Sequence, residues 1–185
     1  MRLRRGWPVA WHGARLPVAP PGRKGATEMK PRMDYQAASP EAIRAMLGLE
    51  RHLRGCGLEP RLLDLVRLRV SQMNGCAYCI DMHWKDLRAA GETEQRLYGL
   101  DAWREAPYYA DRERAALAWA EGLTRITDGH VPDALFAEAR AQFSETELAD
   151  LALAVVTINA WNRLAIAFRA PAGTYQPRPV AAKSA

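Results

Sequence analysis

The stretch Asn74-Gly75-Cys76-Ala77-Tyr78-Cys79-Ile80-Asp81-Met82-His83 constrains the chain more than any other. Asn-Gly is a turn dipeptide and interrupts the apolar pattern on either side. One helix therefore ends before it and the next begins close to Cys76. On that helix Cys76 and Cys79 are one turn apart, and so are Cys79 and His83, which puts two thiols and an imidazole on one face. The first turn of a helix carries free N–H groups and the positive end of the dipole. A thiol placed there loses its proton more readily, and the thiolate is the nucleophile. The sequence proposes a reactive dithiol with an acid/base partner.

The chain around this stretch reads as helix almost throughout. Ser39-Pro40-Glu41 supplies an N-cap, proline at the first helical position and an acid in the first turn. That helix carries Ile43, Met46, Leu47 and Leu53 on its apolar side and stops at Gly55-Cys56-Gly57. Pro60 opens a second helix, in which Leu62, Leu63, Val66, Val70 and Met73 recur at three or four residues. The Cys76 helix ends at Gly91, Thr93 caps a short helix through Leu100, and Asp111 caps a longer one. Pro132 opens another short helix. Ser144 and Glu147 form a capping box that starts the last and most apolar helix, which runs through Phe168 to a stop at Pro171 and Gly173. No segment alternates as a strand with hairpin turns, so the fold class is all-α. The last helix contains Asn159, Trp161, Asn162 and Arg163, which line a pocket, face a subunit interface or bond to neighbouring helices. Its Leu151, Leu153, Val155, Val156 and Ile158 exceed what one amphipathic face needs, which predicts a homo-oligomer.

Charge narrows the function. Residues 1–28 hold six basic side chains and one acid, whereas the other 157 residues hold 20 of each sign. The net charge of +5 therefore belongs to the N-terminal segment, and the folded part offers no bulk electrostatic case for nucleic acid or a membrane surface. No unbroken run of about 18 apolar residues occurs, so no spanning helix is expected. Residues 1–38, rich in proline and glycine, read as disordered. Their Arg-rich start lacks a continuous apolar core for a signal peptide, and translation from Met29 or Met33 is the plainer account. Residues 39–170 form the helical domain and 171–185 a flexible tail. Three cysteines, two of them in C-x-x-C, fit a reducing cytoplasm and a redox or metal motif better than a disulfide framework.

Cys76, Cys79 and His83 could also be three ligands of a zinc site, but a structural site needs four. Cys56, His52 and His130 are the remaining donors outside the N-terminal segment, and no second pair has ligand spacing. Haem attachment requires histidine directly after the second cysteine, where Ile80 stands, and a thioredoxin-type motif requires a βαβ context. Two inert core cysteines are the bland alternative. Asp64, twelve residues before Cys76 on the preceding helix, is a candidate proton relay if the two helices pack together.

The run from Asp64 to His83, together with Ala90 to Thr93 and Ile158 to Arg163, resembles the core of the carboxymuconolactone decarboxylase/alkylhydroperoxidase AhpD-like family. The resemblance covers about residues 33 to 176. It implies an all-helical subunit that assembles through its helices into trimers or hexamers, and a peroxidase or disulfide reductase chemistry without metal or cofactor. Carried over, Cys79 attacks the peroxide, Cys76 resolves the sulfenic acid to a disulfide, and His83 and Asp64 pass protons. The implied partners are a hydroperoxide substrate and an external lipoamide- or thioredoxin-like dithiol. The pattern departs from the family at Asp64, where glutamate is usual, and at Tyr78, where histidine is usual. Spacing agrees with the assignment of Cys79, since His83 is its i+4 neighbour but lies seven residues from Cys76. Asp64 is expected nearer Cys76, on the side of the turn. The alternatives are a muconolactone-type decarboxylase, which needs no vicinal dithiol, and a non-enzymatic redox-switch module.

Overall fold

A computed structural model describes residues 30–177. Those residues form eight α-helices: α1 (Tyr35–Ala38), α2 (Pro40–Gly55), α3 (Pro60–Asn74), α4 (Ala77–Ala89), α5 (Glu94–Tyr98), α6 (Asp111–Thr124), α7 (Asp133–Gln142) and α8 (Glu145–Phe168). A 3-10 turn at Leu100–Ala102 follows α5, and no strand occurs among the described residues. The fold is all-α, as the helical periods and capping signals predict.

α3 is the axis of the subunit. It packs against α4, α6 and α8, and it is buried on more faces than its sequence period implies. Leu62, Leu63, Val66 and Val70 enter a core with α6, α7 and α8 around Trp119, Phe143, Leu151 and Ile158. Leu65 and Leu68, on the opposite side, enter a second core with Leu87, Leu97, Leu100, Trp103 and Leu117. A helix sandwiched between two cores carries apolar residues outside a single stripe.

Local chemistry sets the ends of the helices. Gly75 adopts φ 67°, and its N–H bonds back to the last turn of α3. This left-handed cap favours glycine because it lacks Cβ. Ser144 Oγ accepts from the Glu147 N–H, and the Glu147 carboxylate accepts from the Ser144 N–H, completing the expected capping box. Asp111 is the first residue of α6 rather than its cap; the N–H of the preceding Ala110 is taken by the Glu113 carboxylate.

Among the described residues, α8 alone is long and apolar enough, by length and composition, to cross a bilayer. A search for an unbroken apolar run misses it because polar residues punctuate it. Here it is a core helix: Leu148, Leu151, Ala154, Val155 and Ile158 are buried, while Val156 and Ile166 face outward. Its polar residues divide by role. Asn162 Nδ2 donates to Ser71 Oγ and Asn74 Nδ2 donates to Asn162 Oδ1 at 2.8 Å, while Asn159 links Asn74 to Thr124. These are interhelical bonds. Trp161 makes one too, to Glu50 of α2, and also lines a cavity.

Both ends of the described segment bond to the helical body. The Arg32 N–H donates to Phe168 O and its guanidinium to Ala167 O, which uses free carbonyls at the C-terminus of α8. Tyr35 stacks on Phe168 with ring centroids 5.3 Å apart. Lys85 Nζ donates to the carbonyls of Gly173 and Tyr175, and the Gly173 N–H donates to Asp81. Residues 1–29 and 178–185, including Met29 and the basic segment before it, lie outside the described residues.

Asn162 is fully buried and joins α8 to α3. Asn162→Ala should lower the unfolding free energy by about 1–3 kcal/mol, through unmet hydrogen bonds and a small void. A denaturation midpoint equal to wild type would show the network to be dispensable.

Candidate active site

A cavity of about 340 Å³ lies where α2, α3, α4 and α8 meet, with α1 at its edge. α4 contributes Tyr78, Cys79, Met82, His83 and Asp86; α3 contributes Asp64 and Arg67. Leu47, Glu50 and Arg54 come from α2, Ile158, Trp161 and Ala165 from α8, and Tyr35 and Gln36 from α1.

The dithiol follows directly from the turn. Cys76 is the N-cap of α4, and its sulfur accepts from the Cys79 N–H at 3.4 Å. The two sulfurs are paired, with Cα atoms 5.4 Å apart. Both cysteines are buried, yet Cys79 lines the cavity and Cys76 is not among its lining residues. The two thiols are therefore inequivalent: one borders the cavity and the other lies behind it at the helix start.

His83 is one turn further along α4, buried against the same cavity. Neither ring nitrogen has a hydrogen-bond partner. Its Nδ1 is 3.8 Å from Asp64 Oδ1, an approach short of a hydrogen bond. Burial first, and the Arg67 charge second, push His83 down to about 3, so the ring is neutral at ordinary pH. Asp64 responds in the opposite sense. Burial raises its pKa, while the charge and hydrogen bond of Arg67 act against that rise. Tyr78 is also raised, chiefly by burial, and stays neutral.

The geometry brings Cys79, His83 and Asp64 to one cavity and sets Cys76 behind it. Asp64 contacts Arg67 and approaches His83, rather than standing on the Cys76 side of the turn as spacing implied. The donors considered for zinc are engaged or lie elsewhere. His52 Nε2 is 2.6 Å from Asp150 Oδ1, the Cys56 thiol donates to Leu53 O, and His130 sits in a loop with φ 62°.

Residues 39–122 match the carboxymuconolactone decarboxylase family. The uncharacterized protein YdfG of Bacillus subtilis is 42% identical over 139 residues, which cover 75% of this chain and 95% of YdfG. The chain belongs to the carboxymuconolactone decarboxylase family. The crystal structure of ATU0492, an Agrobacterium tumefaciens protein of unknown function assigned to antioxidant defence as AhpD, is 42% identical with a TM-score of 0.76. That match covers 79% of this chain and 100% of ATU0492. The debrominase Bmp8, 20% identical with a TM-score of 0.66 over 75% of each chain, shares the fold. The family assignment and the AhpD-like fold are those implied by the C-x-x-C-x-x-x-H stretch.

This family member's cavity also holds residues that the sequence reading passed over. Glu50 lies three residues after Leu47 and three before Leu53, inside the apolar stripe of α2. Arg67 lies four after Leu63 and three before Val70, inside the stripe of α3. A charge within an apolar stripe is the signal that would have found both. Tyr35 carried no such signal.

The pKa of His83 has a measurable consequence. The unfolded chain protonates it near 6.5 and the folded chain only near 3. Its contribution to stability is therefore full above 6.5 and is lost progressively as pH falls toward 3. Asp64, raised above 3.8 in the fold, acts in the opposite sense: its contribution is greatest at low pH and falls as pH rises. Between pH 6.5 and 5, wild type should lose about 1–2 kcal/mol more stability than His83→Gln, compared by denaturant titration in one redox state. Equal pH slopes in the two proteins would place His83 in a solvated setting.

Proposed function

We propose that the protein is a thiol-dependent hydroperoxide reductase. The supporting observation is the division of the cysteines: Cys79 borders a cavity together with unpartnered His83 and half-buried Asp64, and Cys76 is paired to it from behind. The N-terminus of α4 favours a thiolate at Cys79. That thiolate attacks the terminal peroxide oxygen, the O–O bond breaks, and the leaving alkoxide takes a proton to become the alcohol. The sulfenic acid left on Cys79 is then attacked by Cys76, which forms the disulfide and releases water. An external dithiol reduces that disulfide and is itself oxidised.

A neutral imidazole with a pKa of about 3 is too weak to hold a thiol proton. His83 acts as a relay, accepting at one nitrogen and donating from the other, with Asp64 as the carrier. The buried cysteines favour a slim dithiol arm, of the lipoamide type, over a bulky protein surface. Outward-facing Val156 and Ile166 on α8 support a homo-oligomer.

Stopped-flow mixing of reduced protein with an organic hydroperoxide, followed by a thiol count, tests the reading. Peroxide should be consumed with loss of two thiols per subunit, both recovered by tryptic mapping as a Cys76–Cys79 disulfide. Cys76→Ser should retain one turnover ending in a dimedone-reactive sulfenic acid at Cys79, and Cys79→Ser should lose the fast phase. Labelling of Cys76 in Cys79→Ser at the wild-type rate would reverse the roles; absence of peroxide consumption would remove the function.

A further inference from the structure

Of the charged side chains at the cavity that have no part in the steps above, Arg67 and Glu50 are bonded to each other. Arg67 is a fork: Nη1 donates to Asp64 Oδ1 at 3.1 Å and Nη2 donates to Glu50 Oε2 at 2.9 Å. The second oxygen of Glu50 accepts from Trp161 Nε1 at 3.1 Å. The Arg67 side chain is 11% exposed and that of Glu50 20%. One cation is thus shared by two carboxylates, from α2 and from α3, in a setting where solvent screens weakly. The indole bond fixes the Glu50 carboxylate, so it cannot swing into solvent without leaving the Trp161 N–H unmet.

We propose that Glu50 is a positioning residue of the dithiol site: by holding Arg67 between itself and Asp64, it keeps Asp64 able to take up and release a proton for Cys79. With one full cation to itself, Asp64 would be a committed anion and a poor carrier. With half of that cation drawn to Glu50, its carboxylate stays poised. The role rests on the reading of Asp64 as the relay acid.

The other charges at this cavity have been weighed. Arg54 on α2 donates through Nε to the Glu50 carbonyl. Asp86 on α4 accepts from the Tyr175 hydroxyl. Tyr78, Cys79 and His83 on α4 and Tyr35 on α1 complete the titratable groups, and α8 adds only Ile158, Trp161 and Ala165. The charges of Glu50 and Asp86 favour the proton on Asp64, and Arg67 opposes it. Removing the Glu50 charge therefore acts on Asp64 twice in one direction, directly and by releasing Arg67.

The test uses reduced full-length protein and follows iodoacetamide alkylation of Cys79 against pH, with the site read by peptide mapping. Glu50→Gln keeps the shape and an acceptor for Trp161 but removes the charge. Its alkylation midpoint should fall by about 0.5–1 pH unit. Glu50→Asp restores the charge and should return the midpoint toward wild type. A Glu50→Gln midpoint equal to wild type overturns the proposal. Equal losses of reactivity in Glu50→Gln and Glu50→Asp, with unmoved midpoints, overturn it in favour of a purely structural pair. Peroxide consumption is measured separately on the same samples. A shifted midpoint without peroxide turnover keeps the positioning role and removes the peroxidase; turnover with an unshifted midpoint does the reverse.

Discussion

An arginine side chain left only 11% exposed must be matched by anions, and Arg67 imposes that condition on the middle of α3. The match comes from Asp64 one turn earlier on α3 and from Glu50 on α2. α2 must therefore lie with Glu50 turned inward, and Trp161 of α8 closes on the same carboxylate. Three helices converge on one cation, and the cavity opens at that point. Stranding a buried charge by removing one partner typically costs about 3–5 kcal/mol. The arrangement fixes helix positions even if the ion pairs add little net stability over an apolar packing.

The reactive half of the site needs far less of the tertiary structure. Gly75 turns the chain, Cys76 caps α4, and Cys79 and His83 follow on the same helix. All of this is decided within ten residues. What the tertiary fold adds is inequivalence. α3 supplies Asp64 beside His83, and α8 brings Ala165 against the two cysteines. Two thiols that share one helix end thereby meet different surroundings, which the dipole alone would not provide.

That contrast explains what could be read in advance. Helix boundaries near Pro40, Pro60, Gly75 and Ser144 were legible because caps and turns are local chemistry. The C-x-x-C-x-x-x-H face was legible for the same reason, and it carried the family. The double burial of α3 was less so, since periodicity reports one face and α3 has two. The neighbour of Asp64 was misplaced because distance along the chain says which turn a residue occupies, not which side chain it meets. Glu50 and Arg67 were visible as charges inside apolar stripes, but their pairing across 17 residues depends on how α2 lies on α3. For Trp161 the sequence allows pocket, interface and interhelical bonding alike; the structure puts it at the pocket and bonds its indole to Glu50.

The dithiol, its imidazole and the shared cation lie in one part of the chain, while part of the cavity wall comes from elsewhere. Glu50, Asp64, Arg67, Cys76, Cys79 and His83 all fall inside the segment 39–122 that matches the family. Tyr35, Ile158, Trp161 and Ala165 line the same cavity from outside that segment, and Tyr175 holds Asp86 from beyond α8. The terminal contributions are joined to one another as well: Arg32 bonds the end of α8, and Tyr35 stacks on Phe168. Tyr35 contributes only wall, whereas Trp161 also holds Glu50 and Ala165 also packs against the two cysteines, so α8 ties the wall to the dithiol and the shared cation.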